Sequence, residues 1–199
     1  MKKRLIPIFG ALSMLVCTPS YGAYFLDVGE IGGNVVASGS GSINLAALTF
    51  SLSSSTSSST MPSGALVIVG SGPYSLFNGV SGPSNFGTGG LDFADSNTGG
   101  LVAIRGQTTQ LAVPLTYVSG SNLGVSTSTW NNSTFASLGL TPGTYVWNWG
   151  RESSADSFTV RIGAVPEPAT WAMMLFGFGF IGSALRSAKR RQKVAVSFA

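Results

Sequence analysis

Oxygen-bearing side chains and aromatic rings are the residues of this chain whose types and spacing could do chemistry. Asp92, Asp95 and Asn97 sit close together in a Gly-rich stretch. Oxygen ligands at such spacing suit Ca²⁺, which takes about 6–8 of them. The spacing is not that of an EF-hand, and Gly89-Gly90-Leu91-Asp92 occurs only once, so there is no Ca²⁺-binding β-roll repeat. Solvated turn residues are the plainer reading. Trp130, Tyr145, Trp147 and Trp149 could stack against a sugar, although alternating aromatics on a strand more often fill a core. Six carboxylates, Asp27, Glu30, Asp92, Asp95, Glu152 and Asp156, could in pairs hydrolyse a glycoside without histidine. They are scattered, and none belongs to a recognisable site. Gly177 to Gly182 fits G-x-G-x-x-G, but it follows no strand and lies in an apolar run, where small residues allow close helix approach. No catalytic residue, resident metal or cofactor is assigned.

What is missing narrows the field further. The chain has no histidine, which removes His-based triads, His metal ligands and His general bases. Its one cysteine, Cys17, lies in the apolar N-terminal run, so the rest must hold together by core packing alone. The formal charge is +4, but the cations cluster at the two ends. Between Ala23 and Val165, Arg105, Arg151 and Arg161 stand against the six carboxylates, a net charge of −3. A basic stripe is the footprint of nucleic-acid binding; this mildly acidic middle has none, so no nucleic-acid partner is expected.

The elements that must position these residues fall into three parts. Residues 1–22 read as a secretory signal: Lys2, Lys3 and Arg4 lead, Leu5 to Cys17 form an apolar run, and small residues follow. Ser20 and Gly22 supply the small side chains a signal peptidase needs, placing the cut between Gly22 and Ala23. Residues 23–164 read as one extracytoplasmic β domain of about eight short strands, rich in Gly, Ser and Thr. The fold class expected is mainly β, an antiparallel β-sandwich or jelly-roll-like domain. Tyr24 to Val28, Ile43 to Phe50, Ala65 to Val69, Leu101 to Arg105 and Leu115 to Val118 read as strands. The Ser/Thr-rich tract near 51–63 reads as a surface loop or hairpin tip. Pro142-Gly143 suits a type II turn. Beyond it, Tyr145, Trp147 and Trp149, then Phe158, Val160 and Ile162, alternate with polar or smaller residues. That period of 2 predicts an antiparallel hairpin with one buried face.

From Val165 the character changes. Pro166-Glu167-Pro168 reads as an extended spacer. Residues 169–185 follow, 17 positions without a charge, about 26 Å long as a helix and enough to span a membrane once the flanks snorkel. Trp171 stands at the outer end, where an interfacial aromatic belongs. Arg186, Lys189, Arg190, Arg191 and Lys193 stop the span and stay cytoplasmic by the positive-inside rule. The chain is thus expected to have an N-terminal signal helix and a separate C-terminal transmembrane helix, with the domain beyond the inner membrane.

Pro166, Glu167, Pro168, Trp171 and Ala172, then an apolar span, then a basic cluster over 165–193, resemble the PEP-CTERM sorting signal in its Pro-Glu-Pro-x-x-Trp-Ala subtype. The resemblance implies processing by exosortase, a membrane transpeptidase with a cysteine nucleophile. It implies transfer to the cell surface or an exopolysaccharide matrix, with Pro166, Glu167 and Pro168 as residues of a substrate rather than of an active site. The resulting expectation is an exported surface or matrix protein without catalysis of its own. The alternatives are a carbohydrate- or surface-binding module and, more distantly, a carboxylate-only glycoside hydrolase.

Overall fold

Alternating and continuous apolar runs organise two sheets in the computed structural model, which describes residues 23–163. The strands are β1 (Ala23–Ile31), β2 (Asn34–Gly41), β3 (Thr49–Thr56), β4 (Ser59–Met61), β5 (Leu66–Val69), β6 (Gly72–Asn78), β7 (Asp92–Phe93), β8 (Ser96–Thr98), β9 (Val102–Arg105), β10 (Gln110–Pro114), β11 (Ser126–Trp130), β12 (Gly143–Trp149) and β13 (Asp156–Ile162). One short helix, α1, covers Phe135–Leu138. A six-stranded sheet runs β12-β13-β1-β2-β11-β8, and a seven-stranded sheet runs β3-β6-β10-β9-β5-β4-β7.

The six-stranded sheet is mixed rather than purely antiparallel. The expected β12–β13 hairpin is present, with Trp147 opposite Phe158 and Tyr145 opposite Val160. However, β13 also pairs in parallel with β1, from Ala23 opposite Ser157 to Val28 opposite Ile162. The other side of β1 is taken by β2, joined through Gly32 and Gly33 at φ +59° and +80°. Two positive φ values in a two-residue loop favour glycine in such hairpins. With that side occupied, β1 offers the last strand its remaining side, in the parallel sense.

The two sheets share one core. Tyr24, Leu26, Val35 and Phe158 come from the first sheet, and Val67, Val69, Ile104 and Leu111 from the second. Trp147 is fully enclosed, edge-on to Phe158 at 6.5 Å, while Tyr24 stacks on Phe158 at 4.9 Å. The centre of the seven-stranded sheet is buried on its outer face too, by Leu66, Ile68, Leu76, Leu101, Ala103 and Ala112. Burial on both faces explains the unbroken apolar run Leu66–Val69 and the near-continuous one at 101–104.

Several expectations fail for local reasons. The Ser/Thr tract is not a loop: Thr49–Thr56 is an exposed edge strand and Ser59–Met61 a short interior one. Its backbone pairs with neighbours regardless of side-chain polarity, and Thr favours extended backbone. Residues 43–48 leave strand geometry for a turn before β3. Pro114 ends β10, because it has no N–H for the ladder, and Leu115 to Val118 turn away instead of forming a strand. The type II turn is not adopted: Gly143 lacks the positive φ that turn requires and already pairs with Ile162.

Two substitutions probe the core. Trp147→Ala should cost about 3–5 kcal/mol in denaturant unfolding. The Tyr24 hydroxyl is buried with no hydrogen-bond partner among the described residues, and burial raises its pKa. Tyr24→Phe should therefore leave stability unchanged or raise it by up to about 1 kcal/mol; a clear loss in the same measurement would mean the hydroxyl is satisfied.

Candidate functional site

The aromatic residues that suggested ligand stacking fill the interior instead. Trp130, Trp147 and Trp149 are all buried, so their ring faces are closed to a sugar. Their alternation with exposed Val146 and Asn148 points the indoles into the core, which corrects the stacking expectation. Each indole N–H donates to a backbone carbonyl: Trp147 to Pro83 at 2.9 Å, Trp149 to Asn44 at 2.8 Å and Trp130 to Asp92 at 3.4 Å. Gly82 and Gly106 permit the close seat of Trp147, since a Cβ on either would stand 2.6 and 2.8 Å from the indole. Tyr145 is half-buried. Its hydroxyl donates to the Thr141 carbonyl at 3.0 Å, and its ring lies 5.8 Å from that of Phe86.

The candidate calcium ligands are divided between the sheets. Asp92 lies on β7, opposite Thr60 of the seven-stranded sheet. Asn97 lies on β8, opposite Ser128 of the six-stranded one. Asp95 stands between them, with its carboxylate accepting the Asn131 N–H at 2.7 Å. Among the described residues, no three Asp, Glu, His or Cys side chains gather in a metal-binding group.

Several of the carboxylates act as clasps, on the backbone or on Arg161. Glu30 accepts the N–H of Phe135 at the start of α1. Asp156 is buried and accepts the N–H of Asn44 at 2.5 Å and of Ser157 at 2.6 Å. Asp27 pairs with Arg161 across the parallel strands, through two hydrogen bonds of 2.5 and 2.7 Å. This guanidinium also lies 5.2 Å from the centre of the Phe25 ring. The pair is about half exposed, so its net contribution is at most about 1 kcal/mol.

One concavity on the outer face of the seven-stranded sheet escaped the sequence reading. It is an open hollow of about 200 Å³, with Leu66, Ile68 and Leu76 in its lining, Tyr74 and Phe93 beside them, and Arg105 as its charged group. Among the described residues, no carboxylate lines it. Its sequence signal was the apolar continuity of the interior strands, which means burial on both faces. Among the described residues, no helix is long and apolar enough to cross a membrane.

The sorting residues Pro166, Glu167, Pro168, Trp171 and Ala172 lie outside the described residues, as do the apolar stretch 169–185, the basic cluster Arg186 to Lys193, and the signal up to Gly22. Ala23, the residue after the expected cut, opens β1. Comparison with known families supplies the evidence for the tail. Residues 164–191 match the family model of the PEP-CTERM protein-sorting motif. The chain therefore carries the signal of an exported, exosortase-targeted protein whose precursor is anchored in the membrane. No match emerges among curated proteins or among solved structures.

Burial pushes the Asp156 carboxyl above the usual Asp value, and the two N–H groups that it accepts pull it back in part. Between the ordinary and the raised value the folded state holds more protons than the unfolded one, so stability falls as pH rises through that window. Denaturant midpoints across this acidic range should show that slope, and Asp156→Asn should flatten it.

Proposed function

We propose that this chain is an exported, exosortase-processed protein of the cell surface or exopolysaccharide matrix. In this reading its β domain has a structural rather than catalytic role. The observation that carries it is the PEP-CTERM sorting motif at 164–191, which begins directly after the last described residue of the β domain. Signal peptidase removes the N-terminal segment at Gly22-Ala23. Exosortase then reads Pro166, Glu167 and Pro168 and detaches the domain from its membrane segment at 169–185. The cations Arg186, Lys189, Arg190, Arg191 and Lys193 hold that segment in place until then.

Two features support the non-catalytic reading of the domain. Asp27, Glu30, Asp95 and Asp156 are engaged with backbone N–H groups or Arg161, and the other two, Asp92 on β7 and Glu152 between β12 and β13, belong to different sheets, whereas glycoside hydrolysis needs two carboxyls free to face one bond. The indoles are committed to the core, which leaves the carbohydrate-binding alternative without its stacking surface.

Replacing Pro166, Glu167 and Pro168 together by Ala should leave export intact and hold the full-length protein in the membrane fraction. Immunoblots of membrane and surface fractions decide it. The normal shortened form in that variant would remove the role assigned to these three residues.

A further inference from the structure

Four strands end the two sheets, and three of those edges are closed or short. At β12, Ser81 and Asn148 exchange two backbone hydrogen bonds of 2.9 Å, which caps part of the edge. β7 has two residues and β8 three. The fourth edge, β3, is different. It is eight residues long, is exposed from Thr49 to Ser55, and among the described residues pairs only with β6. Exposed edges in soluble proteins are ordinarily blunted by charge, proline, cover or shortness. β3 contains no proline and no charge, and no charged residue occurs anywhere from Ile31 to Leu91.

The strand carries one guard, a bulge between Phe50 and Leu52. Its effect is to place Phe50 opposite Phe77 and Leu52 opposite Leu76. Phe77 packs against the inter-sheet core and Leu76 belongs to the outer-face cluster. An apolar side chain therefore stands exposed on each face of the edge, Phe50 at 56% and Leu52 at 45%. Beyond the bulge, Leu52 to Thr56 run in unbroken register with β6, as a paired strand with one side open.

We propose that β3 is an assembly edge at which two copies of this chain pair antiparallel about a two-fold axis, joining their seven-stranded sheets into one. A second copy fits this edge for two reasons. A two-fold pairing sets the strand against itself, and a run of Ser and Thr is self-complementary, since hydroxyl pairs across strands are favourable. The strands next to it in the sheet, β6 and then β10, are also uncharged, so two acidic domains meet there without like charges in opposition. This assembly does not depend on the sorting reading, and either stands if the other fails.

The test uses the full exported chain in its host. Ser53→Cys, Ser54→Cys and Ser55→Cys are introduced singly, with the unaltered chain and Val125→Cys as controls; Val125 is 62% exposed, just before β11 in the other sheet. Under mild oxidation, non-reducing electrophoresis should show a disulfide-linked dimer at the edge position nearest the two-fold axis and not in the controls, because the bond tolerates only a narrow Cβ separation. Adding Leu52→Lys or, separately, Ser51→Lys, another exposed position of the strand, to the linking variant places like charges across the axis. Either should cut the dimer yield roughly tenfold or more. No dimer at any of the three positions, equal linkage at Val125→Cys, or a yield indifferent to both lysines would overturn the proposal and leave the edge to a strand from another partner.

Discussion

The seating of β13 between β12 and β1 is the constraint on which the rest of the domain rests. It places the last strand beside the first, and Phe158 between Tyr24 on one side and Trp147 on the other. Without it β12 has no partner within its sheet and β1 becomes an open edge. The contact spans nearly the whole sequence of the domain. A long-range pairing of this kind must close a large loop before it gains stability. The early strands thus wait for the final ones, and the domain becomes complete only when residues near 162 are available.

Loops around this core are held by single polar contacts in place of disulfides. Three buried indoles each reach a carbonyl in an irregular or peripheral segment, at Pro83, Asn44 and Asp92. Carboxylates do the reverse, taking N–H groups at Asn44, Asn131 and Phe135. Asn44 is held from both sides, its N–H by Asp156 and its carbonyl by Trp149. A chain rich in Gly, Ser and Thr has few apolar loop residues to bury, so directional bonds fix the excursions. Glu30, Asp95 and Asp156, three of the six scattered acidic residues, have this explanation.

Strand character was legible where the buried positions are bulky, as in β1, β12 and β13, whereas β2 and β11 bury mostly small residues such as Ala37, Gly39, Ser126 and Ser128 and were not read as strands. The alternation of Tyr145, Trp147 and Trp149 against Phe158, Val160 and Ile162 gave the β12–β13 hairpin, and the order of proline motif, apolar run and cations gave the sorting signal. The parallel partner of β13 was not legible, because alternation says which face is buried and nothing about which strand lies alongside. Strand β3 was missed because no apolar period marks an edge exposed on both faces. The indoles were ambiguous for a related reason: alternation fits an inward and an outward row equally, and only the packing of Phe158 and Tyr24 decides between them. Asp92 and Asn97, close in sequence, were parted by a segment that crosses from one sheet to the other.

The parallel pairing also has a geometric outcome for a tethered protein. Ala23 lies beside Ser157, while Ile162 lies beside Val28, five residues further along both strands, or about 17 Å. The polypeptide enters the sheet at one pole and departs from the other. Whatever holds the carboxyl-terminal side pulls along the strands, so that β13 bears the load in shear against two neighbours at once, its hydrogen bonds strained together instead of opening one by one. Ala23, at the opposite pole, is carried on the far side of the domain, turned away from the mooring.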